Sequence, residues 1–201
     1  MNLVSSSDAV SGLAWVAIAT GAVALLGLLC LIVFFAGVPV FGPLNDGCIA
    51  LAGLLSGVLA WRLWAEQTGP ASLLSILALG AALVGAVIVV LGSALVILRV
   101  TGFVLAGFYM ELGNALIGLW LLAVCFSARA GAGWPRGLVG LGLVAGALMV
   151  LGFFTVPAIV HGLDSMDASP WYVNVGYVGW LGAFILFPVW CLWLGRVLLY
   201  S

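Results

Sequence analysis

Charged side chains are almost missing from this sequence. Of its 201 residues only 5% are charged and 66% are hydrophobic, whereas about a quarter of the residues in a soluble domain are charged. This balance excludes a soluble globular domain and predicts an integral membrane protein whose main surroundings are the lipid bilayer. With five basic residues and a net charge of −1, the chain also lacks the positive surface that nucleic acid binding requires.

Lysine is absent, and histidine occurs once, as His161. Without lysine there is no Schiff-base linkage to retinal or pyridoxal and no phosphate-binding loop of the usual kind. One histidine cannot build a zinc protease motif or hold a haem between two histidines. We therefore expect no metal site, no cofactor and no enzymatic activity.

The four cysteines are scattered and show no two-residue spacing of the kind that binds metal or cycles between thiol and disulfide. Cys30, Cys125 and Cys191 fall within apolar stretches. We expect them to be small buried side chains in the cytoplasmic half of their helices.

Long apolar stretches fill most of the chain. A helix needs roughly 20 apolar residues to cross the hydrocarbon core of a bilayer, and six stretches meet this length. They are expected near residues 11–36, 46–64, 71–98, 102–126, 138–160 and 172–195. Because the connections are short, residues 1–201 are predicted to form one all-α domain, a single bundle of six antiparallel transmembrane helices.

The arginines predict the orientation, since positive charge is retained on the cytoplasmic side. With six crossings, four arginines fall on the side of the two termini and one on the other side. The four are Arg62, Arg129, Arg136 and Arg196, and the one is Arg99. Both termini are therefore expected in the cytoplasm, with the protein in the plasma membrane, the inner membrane of a bacterium.

Two further patterns bear on helix ends and packing. Asn45 and Asp46 follow the two prolines of "GVPVFGP" (37–43) and are expected to cap helix two from an outer turn. Pairs of glycines four residues apart, such as 53 with 57 and 142 with 146, allow helix backbones to approach closely. These faces are expected to serve packing within the chain, with a homo-oligomer or another membrane subunit as the alternative.

The stretch "GFYMELGNALIGLW" (107–120) places Glu111 and Asn114 near the middle of helix four. Their spacing of three residues puts both side chains on one helix face. An ionisable side chain at this depth is costly, so it is neutral, paired, or in contact with a wet cavity, and it predicts a binding or proton-relay role. The alternative is a protonated or hydrogen-bonded Glu111 that only fixes helix packing, and the expected partners on neighbouring helices are Ser93, Thr155, Asn174 or Tyr177. Arg99 is the possible counter-charge.

The predicted outer loop "HGLDSMDASPWYVN" (161–174) concentrates the remaining polar residues. We consider it the possible mouth of a site that leads down to Glu111, because histidine can exchange a proton near neutral pH. The candidates are His161, Asp164, Asp167, Tyr172 and Asn174. The alternative is a solvated turn in which Pro170 starts helix six.

Two functions follow from these patterns. The first is a non-enzymatic protein that binds or transports a small polar or cationic solute, or a proton, through the polar spot on helix four. In length and number of crossings the chain resembles the six-helix substrate-capture subunits of vitamin importers, a likeness without a shared motif that implies an outer pocket. The second is an accessory or scaffolding subunit of a larger membrane complex, bound through the glycine faces.

Overall fold

The computed structural model of the protein describes residues 4–66, 72–129, 133–165 and 170–200, with side chains from residue 10 onward. These residues are helices joined by short turns. Six of the helices are long and apolar enough to cross a membrane, in agreement with the six stretches predicted from hydropathy. The position of Asp167 lies outside the described residues.

The helices are α1 (Val4–Phe35), α2 (Phe41–Ala65), α3 (Leu73–Ile97), α4 (Phe103–Arg129), α5 (Arg136–Val160) and α6 (Trp171–Tyr200). Each packs against its neighbours in the chain, and the second half of α6 packs against α1, so the six form a closed ring. Successive helices run in opposite directions. We call the end of the bundle near residues 4 and 200 the termini end, and the opposite end the distal end.

Glycines hold the helices of this ring close together. A side-chain carbon at Gly113 of α4 would lie only 2.6 Å from the carbonyl oxygen of Gly85 in α3. The same carbon at Gly53 of α2 would lie 2.7 Å from a methyl group of Val89, and one at Gly146 of α5 would lie 2.9 Å from the carbonyl oxygen of Gly118. The glycine faces predicted from spacing therefore serve packing inside this chain, as small residues do between membrane helices.

A cluster of buried aromatic rings forms the core of the termini half. Trp190 of α6 is fully enclosed and contacts Trp120 of α4 edge to face, with ring centroids 6.2 Å apart. It also stacks on Phe187 and meets Trp134. Cys125 lies in this core, as predicted. Cys30 does not share this end, because α1 runs toward the distal end and Cys30 lies near its last turns, so the three cysteines do not lie in one half of the bundle as the prediction requires.

Three helices finish at the distal end with the same backbone motif, in which one residue takes a left-handed conformation. The residue is Gly37 after α1 (φ 98°), Gly162 after α5 (φ 63°) and Arg99 after α3 (φ 56°). In the third case the N–H of Val100 donates to the carbonyl of Leu95 at 2.9 Å, which closes the motif. Arginine is an unfavourable residue at this position, because its β-carbon crowds the left-handed backbone.

Candidate functional site

A small cavity lies inside the ring, in the distal half, where α1, α2, α4 and α6 meet. Carboxylate, amide and aromatic side chains line it. The residues are Leu31, Asn45, Asp46, Ile49, Phe103, Gly107, Met110, Glu111, Asn114, Trp180 and Phe184. The cavity has a volume of about 20 Å³, which is enough for one or two water molecules. The two side chains predicted on one face of α4 therefore do share a site.

Glu111 is the most deeply enclosed charged residue of this site. It lies about 12 Å along α4 from Phe103 at the usual helical rise, and only 1% of its surface is exposed. Its Oε1 atom has no hydrogen-bond partner among the described residues. A side-chain carbon at Gly152 of α5 would lie 3.0 Å from Oε1, and one at Gly179 of α6 would collide with it. The carboxyl group therefore fits only because both positions are glycine.

Both helices beside Glu111 depart from regular α-helix at the level of the site. Residues Leu151–Thr155 of α5 form a 3₁₀ turn, and residues Gly182–Leu186 of α6 form a π turn. Pro157 and Pro188 follow these segments by two residues, and each lacks the N–H that would bond to a carbonyl inside the segment. Such interruptions are frequent at functional sites of helices. In α6 the missing N–H of Pro188 is therefore accompanied by this π turn.

The expectation for Asn45 and Asp46 was wrong. Helix α2 begins at Phe41. Pro43 is tolerated there because it falls in the first turn, where a backbone amide needs no partner within the helix. Asn45 and Asp46 are therefore inside the helix and only 1% and 4% exposed. The amide of Asn45 donates to Oδ1 of Asp46 at 3.3 Å, while its own Oδ1 has no partner in the described part of the chain.

Sequence reasoning thus missed half of the site, although a signal was present. Proline is common in the first turn of a helix, so the prolines of residues 37–43 did not require a loop up to Asn45. With a helix start at Phe41, Asp46 lies about 7.5 Å inside an apolar helix. It would then have stood out as a second intramembrane carboxylate.

A second cavity of about 30 Å³ continues from the first toward the termini end. The two cavities share Ile49, Asn114 and Phe184 as walls. Ser56 lines the second cavity, and its hydroxyl donates to the carbonyl oxygen of Ala52 at 2.7 Å. Asn114 therefore lies between two small spaces that follow the axis of the bundle.

Three phenylalanines lie beside the first cavity, at the distal ends of α1 and α4. Phe103, which lines the cavity, contacts Phe34 and Phe35 of α1 with ring centroids 5.9 and 6.3 Å away. Phe34 and Phe35 are 5.4 Å apart. These three rings form an aromatic cluster next to the distal edge of the cavity.

The described polar residues of the loop after α5, up to residue 165, are not gathered around this cavity. His161 is exposed, and its Nδ1 lies 2.6 Å from the carbonyl oxygen of Pro157. The carboxylate of Asp164 accepts hydrogen bonds from the backbone N–H groups of Gly102, at 2.7 Å, and Leu105, at 3.1 Å. Asp164 thus caps the start of α4, although the two are far apart in the sequence. This contact holds the loop against that helix.

The other described sequence candidates form no hydrogen bond with Oε1 of Glu111. Tyr172 is half-buried with its ring 6.1 Å from that of Trp171, and Asn174 is exposed. Thr155, considered as a hydrogen-bond partner of the glutamate, donates instead to the carbonyl oxygen of Gly152 at 2.7 Å. Arg99 is exposed in the turn after α3, and in the described chain no ion pair joins it to Glu111.

The chemistry open to this site follows from its donor set. Two residues with carboxyl groups, Asp46 and Glu111, and two with amide groups, Asn45 and Asn114, are among those that line a water-sized space, and none of the described residues around it is basic. Two ionised carboxylates in one small apolar enclosure repel each other, so a proton or a cation is needed to balance them. Among the described residues, those of this site included, no group of three histidine, cysteine, aspartate or glutamate side chains could hold a metal ion.

Comparison of the chain with known protein families, with curated proteins and with solved structures finds no match. Any function therefore has to be argued from this site and its surroundings.

Proposed function

We propose that this chain is an integral membrane protein of the plasma membrane that binds a proton or a small monovalent cation in the cavity between Asp46 and Glu111 and passes it along the bundle. One observation carries the proposal. Two carboxyl side chains from different helices, both almost fully buried, line a single cavity with no basic residue among its described neighbours. A buried carboxyl group in this setting needs a proton or a cation.

The outer surface of the ring supports placement in a bilayer. Along α3, large apolar side chains such as Leu73, Leu77, Val84 and Leu91 are exposed. A soluble monomer rarely exposes so long an apolar stripe, whereas acyl chains would cover it. The arginine asymmetry supports a cytoplasmic position for both termini.

The size of the cavity selects the kind of solute. Sites for drug-sized or vitamin-sized molecules span roughly 300–1,000 Å³, and the cavity beside Glu111 offers about 20 Å³. The likeness to the vitamin-capture subunits is therefore not supported at this site. A proton carried by water, or a bare monovalent cation held by carboxylate and amide oxygens, fits the available volume.

The path along the bundle supports movement of the ion as well as binding. The second cavity lies directly beyond Asn114 and Phe184, and the aromatic cluster of Phe34, Phe35 and Phe103 lies on the other side. Phe184 belongs to the π turn of α6. Broken helices beside a buried ion site are a recurring feature of secondary transporters. The alternative function, an accessory subunit, loses support because its expected glycine faces are filled within the chain.

The test is ion flux in liposomes that contain the purified protein. A membrane potential drives uptake, and dyes inside the vesicles report protons, sodium or potassium in separate arms. We expect uptake in one arm, and we expect Glu111→Gln to reduce it to the level of protein-free vesicles without loss of folded yield. Asn114→Ala should weaken uptake without abolishing it.

Glu66→Gln is the matched control, because Glu66 is an exposed carboxylate just after α2. It should leave uptake unchanged. Uptake by Glu111→Gln at the rate of the unaltered protein, or no uptake of any of the three ions by the unaltered protein, would overturn the proposal. Elution of each variant as a single folded species separates loss of function from loss of fold.

A further inference from the structure

A groove lies at the termini end, between the last turn of α4 and the first two turns of α5. It is lined by Ala128, Arg129, Gly133, Trp134, Arg136, Val139, Gly140 and Leu143. Its volume of about 780 Å³ is within the usual range for sites that bind small organic molecules. We call it the arginine groove. It is separate from the cavity beside Glu111, and the proposed ion path does not use it.

The arginine groove is positively charged. Arg129 is the last residue of α4 and Arg136 is the first of α5, and both side chains are exposed. None of the described residues in the lining is acidic. The start of α5 adds to this field, because Pro135 precedes it with no side-chain cap, so its first amides are left to attract an anion. The groove is therefore complementary to a negatively charged group.

The wall that runs from the arginines into the bundle is apolar. Arg136, Gly140 and Leu143 follow one another along one face of α5, at spacings of four and three residues. A side-chain carbon at Gly140 would have no atom within 4 Å, so there is open space beside Leu143 at this position. Val139 and Ala128 are buried and form the floor. A molecule that fills the groove would have an anionic end and a hydrocarbon end.

We propose that the arginine groove binds an anionic phospholipid, with the head-group phosphate between Arg129 and Arg136 and an acyl chain along Gly140 and Leu143. Trp134 is half-buried against Trp190 at the same level, and tryptophan favours the boundary between head groups and hydrocarbon. Basic pockets between membrane helices are known to bind such head groups. The proposal depends on membrane insertion and not on ion binding at Glu111.

The experiment measures lipid retained by the purified full chain in detergent, by native mass spectrometry, with equal amounts of phosphatidylglycerol and phosphatidylcholine. We expect preferential retention of phosphatidylglycerol. Arg129→Gln and Arg136→Gln should each lower the preference by about fivefold, the effect of one basic residue at an anionic membrane surface. Arg196→Gln, a change of an exposed arginine near the end of α6, is the matched control and should keep the preference.

A second variant tests the hydrocarbon end. Gly140→Leu fits without a clash and fills the open space beside Leu143, so it should reduce retention of long-chain phosphatidylglycerol more than retention of a six-carbon analogue. Equal retention of the two lipid types by the unaltered protein would overturn the proposal, as would an unchanged preference in the Arg129→Gln, Arg136→Gln double variant. Competition by inorganic phosphate as strong as that by the lipid would assign the groove to a free anion and would also overturn it. Ion flux through the bundle plays no part in these readouts, so they fail or succeed independently of the proposed function.

Discussion

The two halves of the bundle are built in different ways. In the termini half, Trp120, Trp134 and Trp190 pack into an aromatic core around small buried residues such as Cys125. In the distal half, the helices enclose a polar cavity, and α5 and α6 leave regular α-helix beside Glu111. One half has the packing that stabilises a fold, and the other keeps costly groups that packing alone does not require. The difference assigns the stabilising core to one half of the bundle and the proposed ion site to the other.

The largest expected effect comes from emptying the aromatic core. Trp190→Ala should lower the free energy of unfolding by about 3–5 kcal/mol, the usual cost of removing a fully buried large aromatic ring. Unfolding in detergent micelles, followed by circular dichroism, measures this. Trp61→Ala, at an exposed position, should have little effect. If the aromatic core serves stability only, the folded fraction of Trp190→Ala still conducts ions. A Trp190→Ala variant with normal stability and no ion conduction would contradict this division between the two halves.

The second change inserts a methyl group beside the glutamate. Gly179→Ala places a carbon against Oε1 of Glu111, so the carboxyl group or the helix has to move, at a cost of about 1–3 kcal/mol for overpacking. Ion flux per folded protein should fall as well. Gly80→Ala on α3, where the new carbon meets nothing within 4 Å, should be neutral or slightly stabilising. Equal behaviour of the two variants would show that the glycine beside the carboxyl group is not needed.

The third change separates one shared site from two independent ones. Asp46→Asn keeps the size of the side chain and removes its charge, so it should reduce flux while the stability changes by less than about 1 kcal/mol. The Asp46→Asn, Glu111→Gln double variant should have little less ion affinity than Glu111→Gln alone. The reason is that the one ion that both carboxyl groups bind is already lost in the single variant. A binding isotherm for each variant gives the coupling energy, expected at about 0.5–3 kcal/mol for residues that share a partner. Additive losses would assign the two carboxyl groups to separate roles.

The smallest expected effect concerns the helix ends at the distal face. Arg99→Gly should stabilise the fold by up to about 1 kcal/mol, because glycine adopts the left-handed conformation without strain. Gly162→Ala, the reverse change at the equivalent turn after α5, should destabilise it by a similar amount. Thermal unfolding of both variants measures the pair. Flux should not change in either, and a loss of flux in Arg99→Gly would give this arginine a role that its exposed position does not suggest.

Hydropathy was sufficient for the six helices and for most of their ends. It misplaced the start of α2, because the prolines of residues 37–43 read as a turn, while Pro43 is accommodated in the first helical turn. That single error moved Asp46 from the site to a loop. In the loop after α5, the polar residues read as the mouth of a site. Asp164 instead caps α4, a contact between residues about sixty positions apart that no local pattern encodes.

Composition and periodicity alone determined that this chain forms apolar helices of membrane-spanning length, and that Glu111 and Asn114 share a face of one of them. Those properties depend only on the solvent and on residues a few positions apart. The tertiary structure decided that Asp46 completes the site, that Gly152 and Gly179 make room for the carboxyl group, and that two cavities follow the axis of the bundle. These features arise where four helices meet, and the packing of distant backbones is set by side-chain shapes that the sequence presents only one helix at a time.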